Sequence, residues 1–567
     1  MSSEIKLCQN CKNEFTIALE DFNFYEKIKV PPPTFCPKCR FQRRLAFFNI
    51  FNLYQRKCDF CKNEMISIFP ANSPYKIFCQ KCWWSDKWSS LDYGREYDFS
   101  QPFFKQFNEL LHEVPLIGLA NDATNVNSPY NNMSGHLKNC YLLFHADFSE
   151  NSAYGFHINR MNDCLDSSIM TSCELCYDSM HAYKCSRCVG SRSQVVNSVD
   201  CAFLRDSFNC QSCFASANLR NKKYYIFNKP HKKEDYLEEI KKWNLGSYKT
   251  YKEIQRLAEE HWKKFPPKPN QDDFSVNSIG SYVNQAKNCK QCFEVVGAED
   301  SKYLLMLYVP PIKDCYDVSS WGNNISLFYE CCNCGENSSS LRFSYGSGID
   351  LYDADYCYQS LGGSNQFGCV STRKGEYMIF NKRYSKEDYE KLREKIIAHM
   401  QEMPYTDKKG RVYKYGEFFP PELSPFAYNE TLAQNFFTLS EAEAESKGFR
   451  WRELEKKEYQ ITMKAADLPD HIKDIGDDIL KEVISCQKCG RGYKIIQMEL
   501  DFLRKMNLPL SRECPFCRIN DKLELWVKNL RVFDRVCSKC GARFQTHYPK
   551  EEVSYILCKK CWLAEFV

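Results

Sequence analysis

A chain of 567 residues is too long for one hydrophobic core, and 43% apolar with 15% aromatic content excludes a mostly disordered polypeptide. It contains no apolar run of about eighteen residues that could span a bilayer. The net charge of +5 is uneven: residues 1–95 hold 15 Lys/Arg against 9 Asp/Glu, residues 475–567 hold 17 against 12, and the middle is left at −6.

Basic ends favour a polyanionic partner, so nucleic acid, RNA or DNA, is the expectation. The start, Met1-Ser2-Ser3-Glu4-Ile5-Lys6-Leu7-Cys8, has no apolar signal core, which predicts a cytoplasmic protein. In that compartment 33 cysteines are expected as metal thiolates and buried thiols rather than disulfides.

The first element in chain order is a set of four Cys-x-x-Cys knuckles: Cys8/Cys11, Cys36/Cys39, Cys58/Cys61 and Cys79/Cys82. The chain ends on a second set: Cys486/Cys489, Cys514/Cys517, Cys537/Cys540 and Cys558/Cys561. The gaps between knuckles are 24, 18 and 17 residues in the first set and 24, 19 and 17 in the second, which marks a duplicated module. A two-residue gap lets one turn aim two thiolates at one ion, and a second knuckle completes a four-thiolate shell. Sequential pairing predicts four structural zinc ions, each closed to water. Iron–sulfur clusters are the alternative for such knuckle pairs.

Between the first two knuckles lie Phe15-Thr16, Asp21-Phe22-Asn23-Phe24 and Cys36-Pro37-Lys38-Cys39-Arg40. Their C-terminal counterparts are Tyr493, Glu499-Leu500-Asp501-Phe502 and Cys514-Pro515-Phe516-Cys517-Arg518. This pattern resembles the "probable zinc-ribbon" domain family, although the C-terminal copy lacks the Phe-Thr pair. The resemblance covers about forty residues each time and implies a small zinc-binding fold. A short helix after Cys39 would carry Arg40, Arg43 and Arg44 together, making them the candidate phosphate contacts; a cap packing on the ribbon is the alternative. Trp83, Trp84 and Trp88 suit either base stacking or the ribbon's own small core.

The middle is duplicated as well. Val126-Asn127-Ser128 through Tyr224-Tyr225-Ile226-Phe227-Asn228-Lys229 is matched by Val276-Asn277-Ser278 through Tyr377-Met378-Ile379-Phe380-Asn381-Lys382. Within the first copy Cys140, Ser152, Cys164, Cys176, Cys188, Cys201 and Cys213 recur about every twelve residues. A fixed short period of β-prone pieces between turn residues predicts a β-solenoid with cysteine at an inward position. Twelve residues could be one coil or half of a coil of about twenty-four. The many Tyr, Phe and Leu residues favour the larger coil. The pairs Cys173/Cys176, Cys185/Cys188 and Cys210/Cys213 are read as a buried thiol ladder, with metal binding as the alternative. His145, His157 and His181 share one twelve-residue phase with Ile169 and form a candidate polar patch, for metal or acid–base work or as filled turns.

The predicted fold class is mainly β: two duplicated β-solenoid-like repeat domains flanked by four-cysteine zinc-ribbon modules, with short connecting helices. The expected boundaries are 1–95 for the first ribbon module, 120–230 for the first repeat, 231–265 for a helical connector and 274–382 for the second repeat. A helix at 383–402, a linker with a short helix at 403–474 and the second ribbon module at 475–567 follow. Pro266-Pro267-Lys268-Pro269 reads as a linker, and Ser385 and Ser440 as helix caps. Together with Ser424-Pro425-Phe426-Ala427-Tyr428-Asn429-Glu430-Thr431, this order resembles a protein family of candidate-phylum bacteria that joins zinc ribbons to a Cys-rich repeat. The resemblance implies an architecture and no activity. No P-loop, nucleophile elbow, His-Glu-x-x-His or dinucleotide glycine motif is present. The expected function is therefore a zinc-binding scaffold or adaptor gripping nucleic acid through its basic ends. A purely protein-binding component, or an enzyme using the histidines, is the alternative.

Overall fold

A computed structural model describes residues 3–453 and 459–567; Met1 and Ser2 of the expected first ribbon module and residues 454–458 of the expected linker lie outside the described residues. The chain folds as two compact units, Met1–Leu119 with Gln271–Glu453 and Ala120–Asn270 with Leu454–Val567. Each unit thus joins one cysteine module to one repeat, but crosswise: the N-terminal module belongs with the second repeat and the C-terminal module with the first. Strand takes 30% of the chain and helix 25%, so the mainly β reading holds only loosely.

In the second unit the repeat is a ladder of parallel strands whose partners lie twelve residues apart, as in Tyr141↔Ala153, Ala146↔Ile158 and Met170↔Ala182. One extra residue makes the step thirteen at Ala182↔Val195. Every third residue turns a corner in the left-handed region: Asn139, Leu142, His145, Phe148, Asn151, Tyr154, His157 and Arg160 all have φ between 48° and 65°. Four corners therefore close one rung of twelve residues. Each such corner is unfavourable for a non-glycine residue, and it is offset by backbone bonds to the neighbouring rungs, such as Tyr141 N–H to Ser152 O at 3.1 Å and Asn151 N–H to Lys138 O at 3.0 Å.

The period of three also decides what faces inward. Cys140, Leu143, Ala146, Ile158, Met161, Cys164, Met170, Cys173, Cys176 and Ala182 form the core of this ladder. The rung of about twenty-four residues that the aromatic content suggested is not what forms. Tyr154, Tyr177 and Phe203 are buried on the outside of the ladder, against Glu499, Phe502 and Tyr251 respectively. Serine and cysteine share one inward column because they make the same bonds. Ser152 Oγ donates to Glu150 O and accepts from Cys164 N–H; Cys164 Sγ donates to Asn162 O and accepts from Cys176 N–H.

The first unit repeats the plan with less regular steps: twelve at Phe293↔Leu305, fourteen at Ala298↔Ile312 and thirteen at Ser339↔Tyr352. Its core holds Cys289, Cys292, Cys315, Cys331, Cys334, Cys357 and Cys369. Helix Lys386–Glu402 follows, with Ser385 Oγ accepting from Asp388 N–H; Ser440 caps Glu441–Ser446 in the same way. The segment from 403 onward is no loose linker, since Tyr413, Tyr415, Phe418, Phe419 and Tyr428 are buried in this unit. In the second unit the expected connector forms helices Lys233–Lys242 and Tyr248–Trp262.

Candidate metal centres

Each cysteine module presents two sites of one design. In the first, strand β1 (Glu4–Leu7) leads into Cys8-x-x-Cys11 and returns as β2 (Glu14–Ile17). The residue after the second knuckle cysteine is left-handed in all four sites: Lys12, Lys62, Gly490 and Gly541, with φ of 61°, 63°, 73° and 73°. The second cysteine pair opens a helix: Cys36, Cys79, Cys514 and Cys558 are the residues preceding helices Pro37–Leu45, Gln80–Trp83, Pro515–Asn529 and Lys559–Phe566.

Sequential pairing is what the fold brings together. The groups are Cys8/Cys11/Cys36/Cys39, Cys58/Cys61/Cys79/Cys82, Cys486/Cys489/Cys514/Cys517 and Cys537/Cys540/Cys558/Cys561, each with its sulfurs within 4.8 Å of one another. Separations include Cys11–Cys36 at 3.8 Å, Cys61–Cys79 at 3.9 Å, Cys489–Cys514 at 3.8 Å and Cys540–Cys558 at 3.7 Å. A tetrahedral ion with metal–sulfur bonds near ~2.3 Å sets its sulfurs about 3.8 Å apart, so the quartets fit a metal ion of zinc's size.

Backbone N–H groups prepare the thiolates. Cys36, Cys79, Cys514 and Cys558 donate to the Sγ of Cys8, Cys58, Cys486 and Cys537 at 3.2–3.3 Å. Burial pushes the Cys58 thiol up, but the N–H groups of Cys79, Cys61 and Phe60 outweigh it and bring it to about 7. Cys486 likewise falls to about 7 and Cys537 to about 6. Burial raises Cys514 to about 11, so four thiolates in one quartet need a cation to coexist.

The three arginines expected to reach phosphate turn inward. Helix Pro37–Leu45 lies on the outside of its ladder, and Arg40, Arg43 and Arg44 are 1%, 2% and 0% exposed. Arg40 Nε donates to Asp317 at 2.8 Å, Arg43 pairs with Glu330 at 2.8 Å and Glu417 at 3.1 Å, and Arg44 reaches Asp317 at 3.2 Å. Burial alone would lower the Arg43 pKa, but Glu330 and Glu417 outweigh it and raise it. A phosphate could reach these groups only by breaking buried ion pairs. The second unit has the same lock: Arg518 pairs with Asp166 at 2.5 Å and Glu499 at 3.0 Å, and Lys522 pairs with Asp178 at 2.9 Å. A cleft opens beside this lock, lined among others by Asp178, Arg192, Tyr251 and Lys252. Asp178 there already bonds Arg192 and the Tyr251 hydroxyl.

Sequence reasoning missed these acids. The signal was a Cys-x-Asp unit in each repeat, Cys164-Leu165-Asp166 and Cys315-Tyr316-Asp317, with the Asp at a left-handed corner facing the helix that follows a Cys-Pro-x-Cys knuckle.

The other candidates are placed as follows. His145 Nδ1 and His157 Nδ1 lie 2.6 Å apart on adjacent rungs, and His181 lies two rungs beyond His157 with Ile169 between. Burial holds His145 down at about 4, so it is neutral at neutral pH. Among the described residues the metal-ligand groups are the four cysteine quartets, and no histidine joins them. Cys173, Cys176, Cys185 and Cys188 are buried with their Sγ on backbone carbonyls, and Cys210 and Cys213 do the same. Trp83 and Trp88 are buried, and Trp84 is half-exposed. Pro266–Pro269 straps the fourth site: Trp562 Nε1 donates to Pro266 O and Thr546 Oγ1 to Pro269 O. Pro115–Gly118 does the same at the second, through Trp83 Nε1 and Ser67 Oγ.

No helix among the described residues is long and apolar enough to cross a membrane. No protein-family model and no curated protein matches the chain. Among solved structures it is similar to a "putative acetyltransferase" from Desulfovibrio desulfuricans G20, at 8% identity and TM-score 0.10 over 52% of this chain and 74% of that one, a likeness that carries no argument.

Proposed function

We propose that the protein is a non-catalytic zinc scaffold of two related units, each a double zinc ribbon of treble-clef type locked onto a β-solenoid, and that it binds a protein partner. Zinc is favoured over iron–sulfur clusters because each quartet closes to the sulfur spacing of a single four-thiolate ion. The second cysteine pair at a helix start is the treble-clef layout, and the twelve-residue parallel register supports the solenoid reading.

One observation carries the choice of partner. Several of the cations that made the ends look nucleic-acid-binding are paired with acids of the middle, as Arg40 with Asp317 and Arg518 with Asp166. Part of the charge asymmetry of the sequence is thus an internal complementarity. The ribbons meanwhile leave Ile5, Leu7, Phe516, Val536 and Tyr555 exposed, which suits protein contacts. Nucleic acid is the second reading, favoured by the exposed Arg531, Arg543, Lys550 and Lys560 of the last ribbon module.

Filter binding with mixed-sequence RNA and DNA at low salt separates them. Absence of retention supports the protein-binding scaffold. Retention that weakens with salt and is lost on charge reversal at Arg531, Arg543, Lys550 and Lys560 supports nucleic-acid binding.

A further inference from the structure

The outer edge of β1 points to a second copy of this chain. β1 and β2 form a two-stranded sheet, and among the described residues no third strand adds to it. Cys8 N–H donates across the hairpin to Asn13 O at 2.9 Å. By antiparallel alternation, Lys6 and Glu4 also turn their backbone groups toward β2, opposite Phe15 and Ile17. Ile5 and Leu7 therefore turn theirs to the free edge. Both residues are 66% exposed, with their side chains on one face of the strand.

The matching ribbon of the other module shows that this edge accepts a strand. There Met463–Lys464 lies beside Ile484–Ser485, the strand leading into Cys486, and Thr462 N–H donates to Val483 O at 2.9 Å. That segment runs parallel to its neighbour. Two β1 strands related by a two-fold axis would instead run antiparallel.

The charges of β1 select the register. Edge-facing residues must meet edge-facing residues, so the axis passes through a residue rather than between two. Centring on Glu4 opposes two carboxylates, centring on Lys6 opposes two ammonium groups, and centring on Leu7 leaves only the strand end paired. Centring on Ile5 sets Glu4 opposite Lys6 of the second copy, twice, and brings the two Ile5 side chains together. Within one chain Glu4 and Lys6 already lie 3.7 Å apart, so the pairing makes a four-charge alternating cluster. An edge lysine alone discourages such pairing, and Glu4 removes that effect. We infer that β1 pairs antiparallel with β1 of a second copy, centred on Ile5, to make a four-stranded sheet across two zinc ribbons.

Sedimentation equilibrium of the zinc-loaded full chain tests this. The mass should rise with concentration toward two chains. Lys6→Glu or Glu4→Lys alone should weaken the dimer about tenfold, two cross-strand attractions becoming repulsions. The double swap Glu4→Lys/Lys6→Glu should restore it. In a second measurement, Ile5→Cys should link two chains on mild oxidation by an added disulfide such as oxidised glutathione, and Leu7→Cys should not. A chain that stays monomeric at its highest soluble concentration overturns the inference. So does a dimer indifferent to both single reversals, or an Ile5→Cys variant that does not cross-link.

Discussion

The Arg40 guanidinium donates from Nε to the Asp317 carboxylate at 2.8 Å, and both side chains are buried. Arg518 and Asp166 repeat the pair in the other unit, each arginine directly following a Cys-Pro-x-Cys knuckle. The helix after the knuckle is thereby fastened to a corner of the ladder. Removing one member leaves the buried cluster of Arg40, Arg43 and Arg44 with Asp317 and Glu330 out of charge balance, so Arg40→Ala and Asp317→Ala should each cost about 3 kcal/mol. Replacing both by apolar residues of similar size should cost less than either single change. Thermal unfolding of the zinc-loaded variants measures it, and additive losses would show that the two side chains do not act as a pair.

The inward cysteines are expected to be inert. Burial pushes the thiols of Cys140 and Cys315 up to about 11 and about 12. Cys164, Cys176, Cys188 and Cys201 are buried as well, and because a thiol reagent cannot reach them all six should resist it in the native protein and react after denaturation. Rapid native labelling at all of them would place them on the surface.

The shared Ser and Cys column makes a sharper claim. Cys164→Ser keeps both the bond to Asn162 O and the acceptor for Cys176 N–H, so it should change stability by less than about 1 kcal/mol. Cys164→Val leaves that buried N–H without a partner and should cost about 1–3 kcal/mol. Equal effects of the two substitutions would deny the role of the hydrogen bonds.

The burial of His145 gives stability a pH dependence of definite sign. Burial depresses His145 from 6.5 to about 4, so the unfolded chain binds the proton first. Its contribution is present above 6.5 and is lost as pH falls through that interval toward 4. With zinc occupancy held constant, His145→Gln should flatten the fall in stability between those values. A wild-type curve identical to that of the variant would show that His145 does not titrate this way.

The knuckles were legible in the sequence because metal geometry fixes ligand spacing whatever surrounds it. Sequential pairing followed from Cys8 to Cys561 without knowledge of the fold. The repeat was legible as a twelve-residue beat, but its shape was not. Cys173 and Cys176 are three apart because every third residue faces inward, a period hidden by aromatic residues on the outward positions. The partners of Arg40, Arg43 and Arg44 were not legible either. Asp317 and Glu330 lie nearly three hundred residues away, and only the fold brings them together. A net charge per segment cannot tell an external polyanion from an internal one.

Native mass spectrometry with elemental analysis counts the ions held by the four quartets. Four zinc ions per chain are expected, falling to three in Cys514→Ser with loss of the fold around Cys486, Cys489 and Cys517, because binding and folding are coupled in such small modules. Two ions per chain, iron in place of zinc, or a Cys514→Ser protein that keeps four ions and its unfolding profile would contradict the four-zinc assignment.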